Sequence, residues 1–410
     1  MRTLPSPLAR SGLAAAGLAA ALAAPRPALA QQSVTREQAV AAALARGPRV
    51  ALAAPDTAAA RAELIGAREF QNPVLSASYS KDTPRYHATL ELPLDYPWLR
   101  GARIRAAAEA STSAVLTFRF ERASARFDAE GAYTEALASA AHALLSERTA
   151  RDADSLLHMA VQRRDAGDAS ELDVQLATVN AGQLVNDAAA DSASATTALL
   201  EVQRVMGLPS DRPSIALADT LTLPPVDTAA PAGPTLQVAS AEAGARSAAA
   251  ALALARRSVL AAPSLTFGFD AYDPTPGGER GLLPTFGLAL TFPLLNFNGA
   301  AVAAASASRD RAAPELAVTR RESDAAVARA RRELALAVAR ALRDRQLVAS
   351  ADRVAAMSLA AYAEGAVALP SVLEAQRQAR EALGRLIDDL TAASVAESAV
   401  RLFTASESSP

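Results

Sequence analysis

One pattern is written twice in this chain, and it restricts the possible folds more than any other feature. The turn Gly167-Asp168-Ala169-Ser170-Glu171-Leu172-Asp173 is answered in the second half by Gly365-Ala366-Val367-Ala368-Leu369-Pro370-Ser371. Each turn separates a very long Ala-rich helical stretch from a shorter one. Upstream, Pro73-Val74-Leu75-Ser76 is matched by Pro263-Ser264-Leu265-Thr266, and Leu92-Pro93-Leu94 by Phe292-Pro293-Leu294. A repeated order of strand, strand, helix, turn, helix implies an internal duplication.

Ala102 to Ala166 and Gly299 to Glu364 are each about 65 residues of mostly Ala, Leu, Arg and Glu, which makes helical rods of roughly 100 Å. No compact domain holds such a rod, so the shape is expected to be elongated. Pro314 is expected to kink the second rod or to mark the start of its regular part. After each turn comes a helix of about 33 to 36 residues, Glu171 to Met206 and Ser371 to Phe403. Helices Arg49 to Phe70 and Leu236 to Leu260 precede the strands. Laid end to end, two shorter helices almost match one long rod, so each pair is expected to stack beside a rod. Leu373, Leu383, Leu386, Ile387, Leu390 and Ala393 supply an apolar stripe for that contact.

Between the helices the apolar period falls from 3.6 to 2. In the first half Leu75, Ala77 and Tyr79 alternate with serines, and Tyr86, Ala88, Leu90 and Leu92 alternate with His87, Thr89 and Glu91. In the second half Leu265, Phe267 and Phe269 alternate with Thr266, Gly268 and Asp270, and Phe286, Leu288, Leu290 and Phe292 alternate with Thr285, Gly287, Ala289 and Thr291. Strands are expected at 74–80, 86–94, 264–272 and 285–293, with a surface loop from Tyr272 to Pro284. Each is about 8 to 10 residues, the length that crosses a bilayer when tilted, though a half-buried hairpin in a soluble sheet alternates in the same way.

The remaining organisation follows from composition. Arg2 and Arg10, the apolar run Leu13 to Ala24 and Ala28-Leu29-Ala30 read as a signal peptide over 1–30. A first repeat is assigned to 31–206, a Pro-rich connector to 207–234, a second repeat to 235–403 and a tail to 404–410. Thr35 to Arg46 forms a short helix stopped by Gly47-Pro48, and the next helix is expected to begin effectively at Pro55. Lys plus Arg, 41, nearly cancels Asp plus Glu, 43, so charge gives no reason to expect nucleic acid as a partner. Without cysteine the chain has neither disulfides nor a lipidated Cys. His87, His142 and His158 are isolated; His87 is expected to face a barrel interior and the others a helix surface. No pattern of catalytic or metal-ligand spacing is visible, so the expectation is a non-enzyme without metal or cofactor.

Four membrane-crossing strands cannot close a barrel, because unpaired edges in lipid cost several kcal/mol per group. Three chains pooling strands would give twelve, enough for an open pore, whereas eight leave an interior that side chains fill. The chain thus reads as an α+β membrane protein with long antiparallel helices and four strands contributed to a shared barrel. The apolar strand face, Leu75, Tyr79, Leu90, Phe267, Phe269, Phe286, Leu288 and Leu290, is expected to meet lipid.

The sequence resembles the outer-membrane efflux protein family, the TolC-like channels. The resemblance rests on Val34-Thr35-Arg36-Glu37-Gln38-Ala39 through Gly47-Pro48, Gln71-Asn72-Pro73, Leu92-Pro93-Leu94 with Gly101 and Arg103, and the two Gly-centred turns, in that order. It implies a homotrimer with a 12-stranded barrel in the outer membrane and a helical barrel in the periplasm. It further implies a periplasmic adaptor and an inner-membrane pump, of the RND type, as partners. The docking tips would be Gly167, Asp168, Ala169, Ser170 and Gly365, Ala366, Val367, Ala368. Ser371 and Glu374 match positions that ring the closed end in such channels, and Tyr362 matches a latch tyrosine. Val367 replaces a basic residue common beyond the tip glycine. From the residues themselves, Ser170 with Asp173 forms a capping box, Pro370 suits a first helical turn, and Gly167 and Gly365 suit left-handed helix exits. The expected cargo is metal cations or small drugs. The exit duct of a type I secretion system and a soluble periplasmic coiled-coil scaffold stand as alternatives.

Overall fold

The computed structural model describes residues 32–82, 84–225, 233–260, 262–271, 281–290 and 292–406. The signal peptide at 1–30 and the connection over 272–280 lie outside the described residues.

Among the described residues seven helices carry most of the length: α1 (Arg36–Arg46), α2 (Pro48–Arg68), α3 (Pro97–Ala166), α4 (Glu171–Val205), α5 (Leu236–Arg257), α6 (Gly299–Ala363) and α7 (Leu369–Thr404). At 70 and 65 residues, α3 and α6 are rods of about 100 Å. Both begin or continue where the sequence patterns pointed elsewhere. Helix α3 starts at Pro97, a turn before the expected 102, because Pro97 fits a first helical turn whose N–H has no intrahelical partner. Helix α2 starts at Pro48 and runs through Pro55, and α6 runs unbroken through Pro314. At both prolines the residue and the carbonyl four positions back lie on exposed surface, so water satisfies the group that the missing N–H leaves free.

Rod α3 is the centre of the packing. Helix α2 lies along its first half, where Arg49 pairs with Glu121 and Asp128 at 2.9 Å each and Arg103 Nε donates to Ala67 O. Helix α4 lies along its second half, where Ser146 bonds Asp191 and Leu156 packs on Val174. On the other side α3 meets α5 and α7, and these in turn meet α6. The end-to-end stacking of shorter helices beside a rod is therefore present. Its seam differs from the expected one: Val372, Ala375, Ala379, Ala382, Leu390 and Ala393 are buried, while Leu373, Leu383, Leu386 and Ile387 are only half-buried. Alanine seams let helix backbones approach closely, so the smaller residues carry the contact.

A waist of short elements crosses α3 near its middle. Strand β1 (Gln32–Val34) pairs in parallel with β4 (Ile215–Leu217), which lies inside the Pro-rich connector. Tyr133, fully buried, donates its hydroxyl to Val34 O at 2.8 Å and accepts from Asp219 N–H at 3.3 Å. Burial pushes its pKa up to about 12. Buried Gln203 donates to Pro209 O and Arg212 O and accepts from Ser214 N–H, so one amide organises the whole connector entrance.

The remaining strands, β2 (Val74–Tyr79), β3 (Tyr86–Pro93), β5 (Ser264–Ala271) and β6 (Leu282–Ala289), form one antiparallel sheet in the order β2-β3-β5-β6. The expected limits 74–80, 86–94 and 264–272 are each long by one residue. The expected 285–293 is displaced towards the carboxyl end, since β6 takes its register from β5: Ser264 opposes Ala289 and Ala271 opposes Leu282. Pro263 ends β5 at that point, leaving nothing for Leu290 and Phe292 to pair with.

Candidate functional site

Two regions hold the residues singled out from the sequence: one face of the sheet and the two helical tips.

Opposed residues in an antiparallel ladder project from the same face. Reading the registers across all four strands places Leu75, Ala77, Tyr79, Tyr86, Ala88, Leu90, Leu92, Leu265, Phe267, Phe269, Leu282, Phe286 and Leu288 together on one face. Seven of the eight residues expected to face lipid are among them; Leu290 lies just past the end of β6. Two aromatic pairs knit this face, Tyr79 with Tyr86 at 5.4 Å between centroids and Phe267 edge-on to Phe286 at 6.0 Å. The face is nevertheless open, with Phe286 77% and Leu75 74% exposed. The opposite face is mostly polar or small, with Val74 and Leu283 at its margins. Ser76 and Thr89 hydroxyls meet at 2.6 Å, His87 Nδ1 meets Asp270 Oδ1 at 2.7 Å, and a side chain at Gly268 would collide with Thr285. Strands β2 and β6 are the sheet's edges.

Both tips use the same helix exit. Gly167 and Gly365 have φ of 85° and 78°, which glycine adopts without steric cost. Each glycine N–H bonds the carbonyl three residues back, and the following N–H reaches five back: Asp168 to Arg163 and Ala366 to Ala361, at 2.8 Å each. Restarting the chain differs between them. Ser170 accepts from Asp173 N–H at 3.2 Å while Asp173 accepts from Ser170 N–H at 3.0 Å, the expected capping box. The second copy caps with Ala368, which offers no side-chain bond, and starts α7 at Leu369 with Pro370 in its first turn.

The tips are tied to each other inside one chain. Leu156, Ala160, Val174 and Ala177 from the first hairpin bury Tyr362, Leu369 and Val372 from the second, and Val367 packs against the same cluster. Arg163 closes the contact. Its guanidinium lies 4.7 Å over the Tyr362 ring, donates to Tyr362 O and to Asp168 O at 3.2 Å, and passes 3.3 Å from where a Cβ on Gly365 would stand. Arg163 comes from the other hairpin and is a residue that sequence reasoning did not single out. Tyr362 is 3% exposed and its hydroxyl has no partner among the described residues, so burial raises its pKa.

Glu374 and Ser371 are exposed on α7, apart from that core. Arg377 holds Glu374 through two bonds of 2.9 and 2.8 Å, Gln378 adds one of 2.8 Å, and Arg377 also bonds Glu381. Arg377 first, then Gln378, lowers the Glu374 pKa. The chain therefore presents a Glu-Arg-Glu triad of net charge −1, and Tyr362 is not part of it. His142 bonds Asp388 at 2.9 Å and His158 is exposed.

Long paired helix hairpins carrying a four-stranded antiparallel sheet at one end define the fold of the TolC-like outer-membrane channel subunits. Solved structures give that likeness its particulars. A membrane protein from Pseudomonas aeruginosa matches with a TM-score of 0.77 and 20% identity over 90% of this chain and 93% of its own. The Campylobacter jejuni CmeC outer membrane channel matches with a TM-score of 0.77 and 14% identity, over 90% and 85%. The outer membrane protein VceC of Vibrio cholerae matches with 0.74 and 16%, over 90% and 95%. No protein-family model matches the chain, and no curated protein matches it by sequence. Among the described residues no helix is long and apolar enough to cross a membrane.

Proposed function

We propose that this chain is the subunit of a homotrimeric outer-membrane channel, a passive duct for an efflux system. The observation that carries this reading is the sheet: one face apolar or aromatic and largely exposed, the other mostly polar or small, and both edges unpaired among the described residues. In lipid those edges must be paired. Joining β6 of one copy to β2 of the next satisfies them, and three copies make a twelve-stranded barrel wide enough to stay open. Leu75, Tyr79, Leu90, Phe267, Phe269, Phe286, Leu288 and Leu290 would then face lipid, and His87 with Asp270 would face the pore. Helices α4 and α6, at opposite sides of the subunit, carry exposed apolar residues such as Leu172, Val179, Leu347 and Val354, which supports a second seam between copies in the periplasm.

In this reading the matching order of elements in the two halves is an internal duplication, and 1–30 directs export. The tips at Gly167 to Ser170 and Gly365 to Ala368 dock a periplasmic adaptor, which links the duct to an inner-membrane pump of the RND type. Ser371 and Glu374 ring the closed end, where three triads would give a modest negative field, and Tyr362 stabilises the tip from within. The cargo is metal cations or small drugs delivered by the pump. Fractionation tests the reading: recovery in the outer membrane is expected, while recovery in the soluble periplasm would favour a coiled-coil scaffold. Loss of protein secretion, with drug and metal tolerance intact, on removal of the chain would favour a type I secretion duct.

A further inference from the structure

Among the described strand residues, the polar face of the sheet carries titratable groups at three positions, Glu91, His87 and Asp270. Helices join the sheet at Val74, Pro93, Ser264 and Ala289, and Glu91 lies at that end, opposed by Val74 and Thr266. His87 and Asp270 oppose each other at the far end, where β3 begins and β5 stops. Four residues of strand, about 13 Å, separate His87 from Glu91. If the helices stand in the periplasm, the pair sits at the outer rim.

The pair is built to carry a proton. His87 Nδ1 meets Asp270 Oδ1 at 2.7 Å, and Nε2 faces Ser80 Oγ at a longer 3.4 Å. Ser80 directs its one hydroxyl proton to Asp82 O or Pro84 O, at 2.7 and 3.0 Å, so its oxygen meets the ring as an acceptor. Both ring nitrogens therefore face acceptors, and only the imidazolium donates from both at once. The His87 and Asp270 side chains are 31% and 23% exposed, within reach of water and ions. Knitting this face asks for no charge: Ser76 and Thr89 join β2 to β3 through hydroxyls alone, at 2.6 Å. The flanking positions on the same face are Ser78 of β2 and Leu283 of β6, and the turn adds Lys81, Asp82 and Arg85, all exposed. The connection over 272–280, outside the described residues, contains Asp273, Glu279 and Arg280. Carboxylates, lysine and arginine ordinarily keep their charge between about pH 5 and 8, the window in which imidazole ordinarily changes its own.

We propose that Asp270 gives the outer mouth of the duct a preference for cations and that protonation of His87 cancels it. This rests on the channel reading, in which the polar face lines a trimeric pore. With the imidazolium, each pair is neutral. With neutral imidazole, each chain leaves one uncompensated carboxylate at the rim, and the ring of copies holds an anionic field across the mouth. The duct then passes cations more readily into a neutral or alkaline exterior and loses that preference in acid, which suits a cargo of metal cations or cationic drugs.

Single-channel recording of the full chain in planar bilayers, under a potassium chloride gradient at about pH 5.5 and about pH 8.5, tests this on either side of the imidazole window. The potassium-to-chloride permeability ratio is expected to rise at least about 2-fold from the lower to the higher pH at about 0.1 M salt, where screening extends over about 10 Å. His87→Gln keeps a donor for Asp270 and is expected to hold the high-pH ratio at both values. Asp270→Asn is expected to lower the ratio below wild type at both, and it decides the matter if His87→Gln fails to assemble. An unchanged ratio in the wild type, the same step in His87→Gln, or a wild-type ratio in Asp270→Asn would overturn the switch and leave the channel reading standing. A wild type that forms no pore would overturn both.

Discussion

Phe286→Arg is the sharpest local test of the sheet. Phe286 sits mid-strand in β6, is 77% exposed, and meets Phe267 edge-on at 6.0 Å. If that face meets lipid, arginine near the bilayer midplane costs about 2–4 kcal/mol, and losing the aromatic pair adds about 0.5–1.5 kcal/mol. The sum is about 2.5 to 5.5 kcal/mol per chain, and three chains feel it in one barrel. Thr285→Arg is the matched control, since Thr285 is the adjacent residue and projects from the polar face opposite Gly268. The assay is urea titration of the assembled species in lipid vesicles, followed by heat-modifiable gel mobility. The reasoning requires Phe286→Arg to lose assembly where Thr285→Arg retains it. Equal tolerance of both, or loss only in Thr285→Arg, would refute the assignment of faces.

Tyr362→Phe is expected to leave Tm unchanged or raise it, because the hydroxyl is buried without a partner, whereas Arg163→Ala should lower Tm by removing the clasp over the ring; a lower Tm in Tyr362→Phe would mean that the hydroxyl is bonded. Ser170→Ala should cost about 1 kcal/mol by denaturant titration through loss of the capping box, and an unchanged midpoint would show the cap to be dispensable. Burial first raises the Glu397 pKa, with Arg401 opposing it. A carboxyl whose folded pKa is raised favours folding at low pH and loses that contribution as pH rises through the folded value, so the wild type should gain stability over Glu397→Gln as pH falls below neutrality; the opposite slope would show the Arg401 pair to dominate. Glu374→Gln should shift pore selectivity towards anions and Arg377→Gln towards cations, read as reversal potential, and no shift in either would place the triad away from the conduction path.

Much of this architecture is written locally. Period-2 alternation assigned the strand faces because a face is a property of one strand, and the pairing of four strands then aligned what each already carried. The tip turns were readable for the same reason: Gly167, Gly365, Ser170 and Asp173 act within a few residues of themselves. What depends on partners was less visible. The register of β6 is set by where Pro263 ends β5, and the helices run through Pro55 and Pro314 because exposed carbonyls there are solvated. Arg163 was overlooked because it is one arginine among many on α3, and only the meeting of two hairpins distant in sequence places it over Tyr362. The same holds for β4, three residues whose pairing with β1 no periodicity announces.

The central claim is that β6 of one copy pairs with β2 of the next and that the ring closes at three. The chain has no cysteine, so a single engineered pair, one on β2 and one scanned along β6, reports that contact alone. Oxidation in isolated outer membranes is predicted to give a ladder of monomer, dimer and trimer that stops there. A chain that remains monomeric, or a ladder that continues past three, would contradict the account.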